Sequence, residues 1–365
     1  FAHGGPSLDL PWPPARNPWN LDHFTGSSSS GSGAALAAGF CPAALGTDTG
    51  GSIRIPAAMC GVTGLKPTYG LVSRQGVLAL APGLDTAGPM ARSAMDCALL
   101  LQAIVGHDAQ DPASARSSVP NYAAALTGDL KGLRIGVIRH FWAEDMSPNA
   151  EAAAATERAL EALRERGAQL SDVRLAPLMH YGDVRVILQE PEAFALFHTD
   201  LCSRIELFGE DFLGRILPGC LVPGFAQAQA SRLRRQMTAR MQQTLQNCDA
   251  LVTIGPGPAP RFDAPGTHGF LYGLWSDKPN ITAPFSVTGL PTLSVCTGFS
   301  TLGLPMSMQI VGRAFDDAAV LRVGDAYQRE TDWHRRHPEL KTGVIPDPIR
   351  LAPPAPLEAL EPASV

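Results

Sequence analysis

The stretch GSSSSGSG, Gly26–Gly33, runs without a polar spacer into AALAAGFCPAALGTDTGGSIRIPAAMCG, residues 34–61, and its reading decides the rest. A run of Gly and Ser alone is the composition of a flexible linker. A linker separates two packed units, yet only 25 residues precede this one and small apolar residues follow it at once. A second small-residue segment, GTDTGGS, Gly46–Ser52, lies 13 residues beyond Gly33. Successive N–H groups at Gly50, Gly51 and Ser52 can converge on one point and receive developing negative charge, with a hydroxyl beside them placed to attack a carbonyl. The alternative is a pair of tight turns. The segment misses the lysine of a phosphate-binding loop, and the chain contains no G-x-S-x-G elbow.

The totals narrow the classes. The chain has 365 residues, 45% hydrophobic and 17% charged, the composition of a globular protein with a large core. A net charge of −5 without Lys/Arg runs argues against nucleic acid and membrane surfaces as partners. No apolar stretch reaches the roughly 20 residues of a spanning helix. The seven cysteines form no C-x-x-C pair, which reads as reduced buried thiols in a cytoplasmic protein, with no metal site. Of 29 basic residues, only Lys66, Lys131, Lys278 and Lys341 are lysines.

Along the chain, Pro-rich residues 1–25 read as an ordered irregular segment with Trp12 and Trp19 buried. Ser32–Gly39 suits a short helix of small residues. Ser93 and Asp96 have capping-box spacing ahead of a helical apolar pattern. A strand at 133–138, a helix capped by Ser147 and Pro148 and running to Arg166, and QLSDVRL after it make a βαβ unit. Further strands are expected at 249–254, 291–295 and 306–312, and a last helix from Asp316. The expected class is α/β, built on a largely buried sheet.

Taken together, GSSSSGSGAALAAGFCPAALGTDTGGSIRIPAAMCGVTGLKPTYGLVS, residues 26–73, strongly resembles the signature of the amidase signature family, serine hydrolases that cleave carboxamides. NPWN before it, LDTAGPMARSAMDCALLLQAIVGHD after it, and GLPTLSV and GLPMSMQIVGRAFDDAAVLRV near the end extend the likeness over most of 17–335. Residues 176–248 match least, and relatives tend to shape the substrate pocket there. The resemblance implies a central mixed β-sheet covered by helices on both faces. It implies a domain over 1–342 lacking its N-terminal part, with 343–365 a loose Pro-rich tail.

In that family the catalytic group is Ser–Ser–Lys. Carried over, Ser52 is the nucleophile and Ser28, 24 positions earlier, the bridging serine, which in relatives follows a cis peptide bond. The N–H groups around Thr49, Gly50, Gly51 and Ser52 would form the oxyanion hole, braced by Thr47, Asp48 and Arg54. A neutral lysine would take the Ser52 proton through Ser28 and return it to the leaving amine. The chain departs from the pattern twice: Ser27 replaces a Gly, and none of the 27 residues before Ser28 is the family's Lys. Lys66 sits in GLKPTYG, an element separate from the base. The chain begins at Phe1, so the expectation is a truncated amidase with little turnover as given.

Three functional readings remain. The first is an amidase acting on a small amide, with no cofactor. The second is the ammonia-releasing A subunit of a tRNA-dependent amidotransferase, and the third an inert family member. A homodimer is a further partner expectation. His334 and His337 read as a solvated helix end, and Tyr272 and Trp275 as core aromatics or pocket lining.

Overall fold

The computed structural model describes residues 1–264, 279–340 and 349. Its strands are β1 (Ala43–Asp48), β2 (Thr63–Lys66), β3 (Thr86–Ala91), β4 (Arg134–Val137), β5 (Gln169–Asp172), β6 (Ala250–Ile254), β7 (Thr292–Phe299) and β8 (Pro305–Val311). They form one eight-stranded sheet in the order β1-β3-β2-β7-β8-β6-β4-β5. Pairing is antiparallel from β1 through β6, while β6, β4 and β5 run parallel, so the sheet is mixed.

The helices are α1 (Ser30–Ala37), α2 (Arg54–Cys60), α3 (Ala94–Ile104), α4 (Tyr122–Ala125), α5 (His140–Ala143), α6 (Ala150–Glu165), α7 (Leu178–Arg204), α8 (Glu210–Ile216), α9 (Gly224–Gln246), α10 (Ala283–Thr288) and α11 (Asp317–Glu330). They cover both faces, as the register shows. Leu65 is opposite Leu293 and Gly64 opposite Ser294, so these pairs point to opposite sides. A methyl group at Gly64 would meet Ala57 and Ile53 at the start of α2, whereas α11 lays Gly324 over Leu293. The main core lies on the α11 side, with α3 and α6. A smaller one on the other side joins Leu36 of α1 to Ile53, Ala57 and Met90.

The βαβ unit is present: β4 and β5 pair in parallel around α6. Its cap differs. Asn149 Oδ1 accepts the N–H groups of Glu151 and Ala152, so the helix starts after Asn149 and not at Ser147. Asn caps as well as Ser, and here it stands next to the first helical residue. The Ser93–Asp96 capping box forms on α3. Trp12 departs from expectation at 64% exposed, because no core forms under the Pro-rich turn around it. Trp19 is half-buried and donates Nε1–H to the Cys60 carbonyl. The tail 343–365 falls outside the described residues but for Ile349, as do Tyr272 and Trp275. Among the described residues, no helix is long and apolar enough to cross a membrane.

Candidate active site

Strand β1 delivers the chain to the site at Asp48, and α2 carries it away from Arg54; Thr49 to Ile53 form the turn between them. Asp48 fixes this turn from below. Its Oδ2 accepts the N–H groups of Ile53 and Arg54, and its two oxygens receive Nε and Nη2 of Arg54, both at 2.9 Å. Both side chains are fully buried. Burial by itself would raise the Asp48 carboxyl; the Arg54 charge and hydrogen bonds, with Lys66 beyond them, outweigh it and hold the group below its ordinary value.

Arg54 ties the turn to the far end of the chain. Nη1 donates to the Thr282 carbonyl and to Gln309 Oε1, and Nη2 also donates to Ser286 Oγ at 2.7 Å. Thr282 Oγ1 donates to the Gly50 carbonyl at 2.5 Å. Gly51 has φ +133°, and a Cβ there would lie 2.3 Å from Thr282 Oγ1, so only glycine fits. Thr49 Oγ1 donates to Asp85 Oδ1 at 2.6 Å. None of the N–H groups of Thr49, Gly50, Gly51 and Ser52 donates to a described residue.

The Gly/Ser run folds against this turn. Gly26 has φ +107° and no room for a Cβ, which would meet the Pro56 backbone at 2.5 Å. Ser29 N–H donates to the Ser52 carbonyl, and Ser29 Oγ bonds both the N–H and the carbonyl of Thr47. The structure therefore brings together Thr47, Asp48, Thr49, Gly50, Gly51, Ser52 and Arg54.

Ser28 is placed differently from its expected bridging position. The hydroxyl hydrogen-bonded to Ser52 Oγ, at 3.2 Å, belongs to Ser27. Ser28 Oγ is buried with no hydrogen-bond partner among the described residues. The expected cis bond before Ser28 is absent: among the described residues the one cis peptide is Gly257–Pro258. A non-proline cis bond costs about 3–4 kcal/mol, and the trans bond avoids that cost. Ser27 was visible in the sequence as a departure from the family's glycine; its hydroxyl as a partner of Ser52 was not read from it.

Lys66 is fully buried and donates Nζ–H to the Pro67 carbonyl. Burial first, then the Arg54 charge, lower its ammonium to about 7 against the pull of Asp48 and Asp317. Neither Lys66 nor Lys131 hydrogen-bonds Ser27, Ser28 or Ser52. No group of three or more metal-ligating side chains occurs among the described residues.

Ser52 and Ser27 open onto a cavity of about 360 Å³, a volume typical of a small-molecule site. Its walls include Gly50, Ile55, Met59, Arg185 and Gln189. Thr282, Gln309 and Arg185 reach the turn from remote parts of the chain, so spacing in the sequence does not connect them to it.

The chain is similar to known proteins over most of its length. The family model described as Amidase matches residues 9–321. The A subunit of the glutamyl-tRNA(Gln) amidotransferase of Roseiflexus castenholzii is 42% identical, over 93% of this chain and 73% of its own. A chain of a vestigial protein complex, described as revealing the evolutionary origins of an s-triazine catabolic enzyme, superposes with a TM-score of 0.81 at 30% identity, over 90% of this chain and 72% of its own. The native peptide amidase from Stenotrophomonas maltophilia gives 0.75 at 29% identity, over 93% and 73%. The signature turn, the sheet that carries it and these likenesses place the chain in the amidase family.

Proposed function

We propose that the chain hydrolyses the C–N bond of a carboxamide, with Ser52 as the nucleophile. The observation that carries this reading is the turn itself: a Ser52 hydroxyl at the cavity wall, preceded by N–H groups that no described residue occupies. In this reading Ser52 Oγ attacks the carbonyl carbon, and the oxygen takes up negative charge beside the N–H groups of Gly50, Gly51 and Ser52. The C–N bond breaks, the nitrogen leaves with a proton, and water cleaves the Ser52 ester to the carboxylate. Ser27, whose hydroxyl is hydrogen-bonded to Ser52 Oγ, is the serine placed for the relay that moves the proton, with Ser28 beside it in the chain.

The lysine of the family's triad has no counterpart bonded to these serines among the described residues. The chain by itself is therefore expected to turn over slowly, at the residual rate that backbone donors and binding sustain. Ammonia release from simple primary amides, compared with Ser52→Ala, tests the reading. Loss of the activity in Ser52→Ala, with an unchanged unfolding transition, supports it; activity that survives overturns it.

A second reading is favoured by the 42% identity to the amidotransferase relative: ammonia release from glutamine or asparagine for a partner protein. Glutaminase activity that appears only when such a partner is added would support that reading over the stand-alone one.

A further inference from the structure

Thr282 stands immediately before α10, where a threonine hydroxyl ordinarily accepts an N–H group from the first turn of its helix. Here the hydroxyl makes no such bond. The residue is buried, and its side chain turns to the segment that carries Ser52. Oγ1 lies 2.5 Å from the Gly50 carbonyl oxygen and 2.6 Å from Asn280 Oδ1. The hydroxyl has one proton for these two acceptors. Asn280 Oδ1 already accepts the Thr282 N–H at 3.0 Å, whereas the Gly50 carbonyl receives no other hydrogen bond from the described residues, so the proton serves Gly50. The Thr282 backbone is held separately, by Arg54 Nη1 on its carbonyl at 2.9 Å.

A trans peptide group is planar, with its C=O and N–H pointing in opposite directions. A bond that fixes the Gly50 carbonyl therefore also fixes the direction of the Gly51 N–H, which donates to no described residue. This peptide joins two glycines, the residues that restrain a backbone least, so an outside contact is needed to hold its plane. Gly50 and Ser52 line the cavity, and Thr282 is not among its lining residues. Resting on the amidase reading of that cavity, we infer that Thr282 is a positioning residue: its hydroxyl clamps the Gly50–Gly51 peptide so that the Gly51 N–H faces the oxygen that gains charge when Ser52 attacks. A donor aimed in advance needs no reorganisation as the charge develops, so its effect falls on the transition state and not on binding of the amide.

The test uses a fluorophosphonate, whose phosphonyl oxygen takes the place of the charged oxygen. The limiting rate of Ser52 phosphonylation, and the reagent concentration that gives half of it, are measured for the wild type, Thr282→Val, Thr282→Ser and Thr282→Ala. Each variant is checked by its unfolding transition. Thr282→Val keeps the branched shape and removes the donor. It is expected to lower the limiting rate at least ~10-fold and to leave the half-saturating concentration within about two-fold. Thr282→Ser keeps the donor and should stay within about three-fold of the wild-type rate, a rescue that a packing role would not give. If Thr282→Val does not fold, Thr282→Ser and Thr282→Ala differ by the hydroxyl alone and carry the same expected ~10-fold contrast. A Thr282→Val chain labelled as fast as the wild type, a loss confined to the half-saturating concentration, or a Thr282→Ser chain as slow as Thr282→Val would each overturn the inference. The two readings fail separately. Equal labelling of Ser52 in the wild type and Thr282→Val removes this inference and leaves the amidase reading standing, whereas no labelling of Ser52 in the wild type removes both.

Discussion

Arg54 uses all five of its N–H donors behind Ser52: three on Asp48 and Ser286, two on Thr282 and Gln309. Removing it would leave the Asp48 carboxylate buried beneath the turn without its counter-charge. Arg54→Met is therefore expected to lower the unfolding free energy by about 3–5 kcal/mol, measured by urea denaturation. A loss below about 1 kcal/mol would mean that the pair does not brace the turn. At this scale the sequence was informative where the contacts are local. Asp48, Gly50, Gly51, Ser52 and Arg54 lie within seven positions, and their types already suggest a donor-lined turn around a hydroxyl. It was silent on Thr282 and Gln309, which reach Arg54 from more than 220 residues away. Ser27 shows a different limit: the replacement of glycine was plain, but which serine meets Ser52 depends on a backbone conformation that residue identity does not fix.

The elements that position the turn are short, so their ends matter. Helix α6 lies between the parallel strands β4 and β5, and Asn149 satisfies two of its first N–H groups. Asn149→Ala is expected to cost about 1 kcal/mol of stability, while Ser147→Ala, which caps nothing, should be neutral within about 0.5 kcal/mol. Chemical denaturation of the two variants separates them; the reverse order would restore the cap to Ser147. The βαβ unit and the strands β6, β7 and β8 were legible because continuous apolar runs mark strands buried on both faces. The cap position was not, since Ser147, Pro148 and Asn149 all suit a helix start and only the path of the chain chooses among them. Trp12 misled for a related reason: a large aromatic asks for burial, but a Pro-rich segment need not bring it to a core.

Across the whole molecule, a buried charge cluster joins the sheet to both its helical layers. Lys66 ends β2, Asp48 ends β1, and Asp317 begins α11, where it accepts the N–H and hydroxyl of Thr68. Burial raises the Asp317 carboxyl to about 6 despite those hydrogen bonds, and lowers the Lys66 ammonium to about 7. The signs differ in their windows. Between the ordinary carboxylate value of 3.8 and about 6, the folded chain holds a proton on Asp317 that the unfolded chain has lost, so stability from this group falls as pH rises. Between about 7 and 10.5 the unfolded chain holds a proton that folded Lys66 has lost, so stability from Lys66 rises with pH. Lys66→Met is expected to flatten that alkaline rise in the denaturation midpoint; an unchanged slope would assign it to other groups. The central claim concerns one atom, Ser52 Oγ, and the most direct measurement is chemical. The chain is treated with a fluorophosphonate, which phosphonylates an activated serine, and the modified residue is mapped by peptide mass spectrometry. The account predicts one adduct, on Ser52, that is lost in Ser52→Ala. An adduct on Ser27, Ser28 or another serine, with Ser52 unmodified, would contradict it.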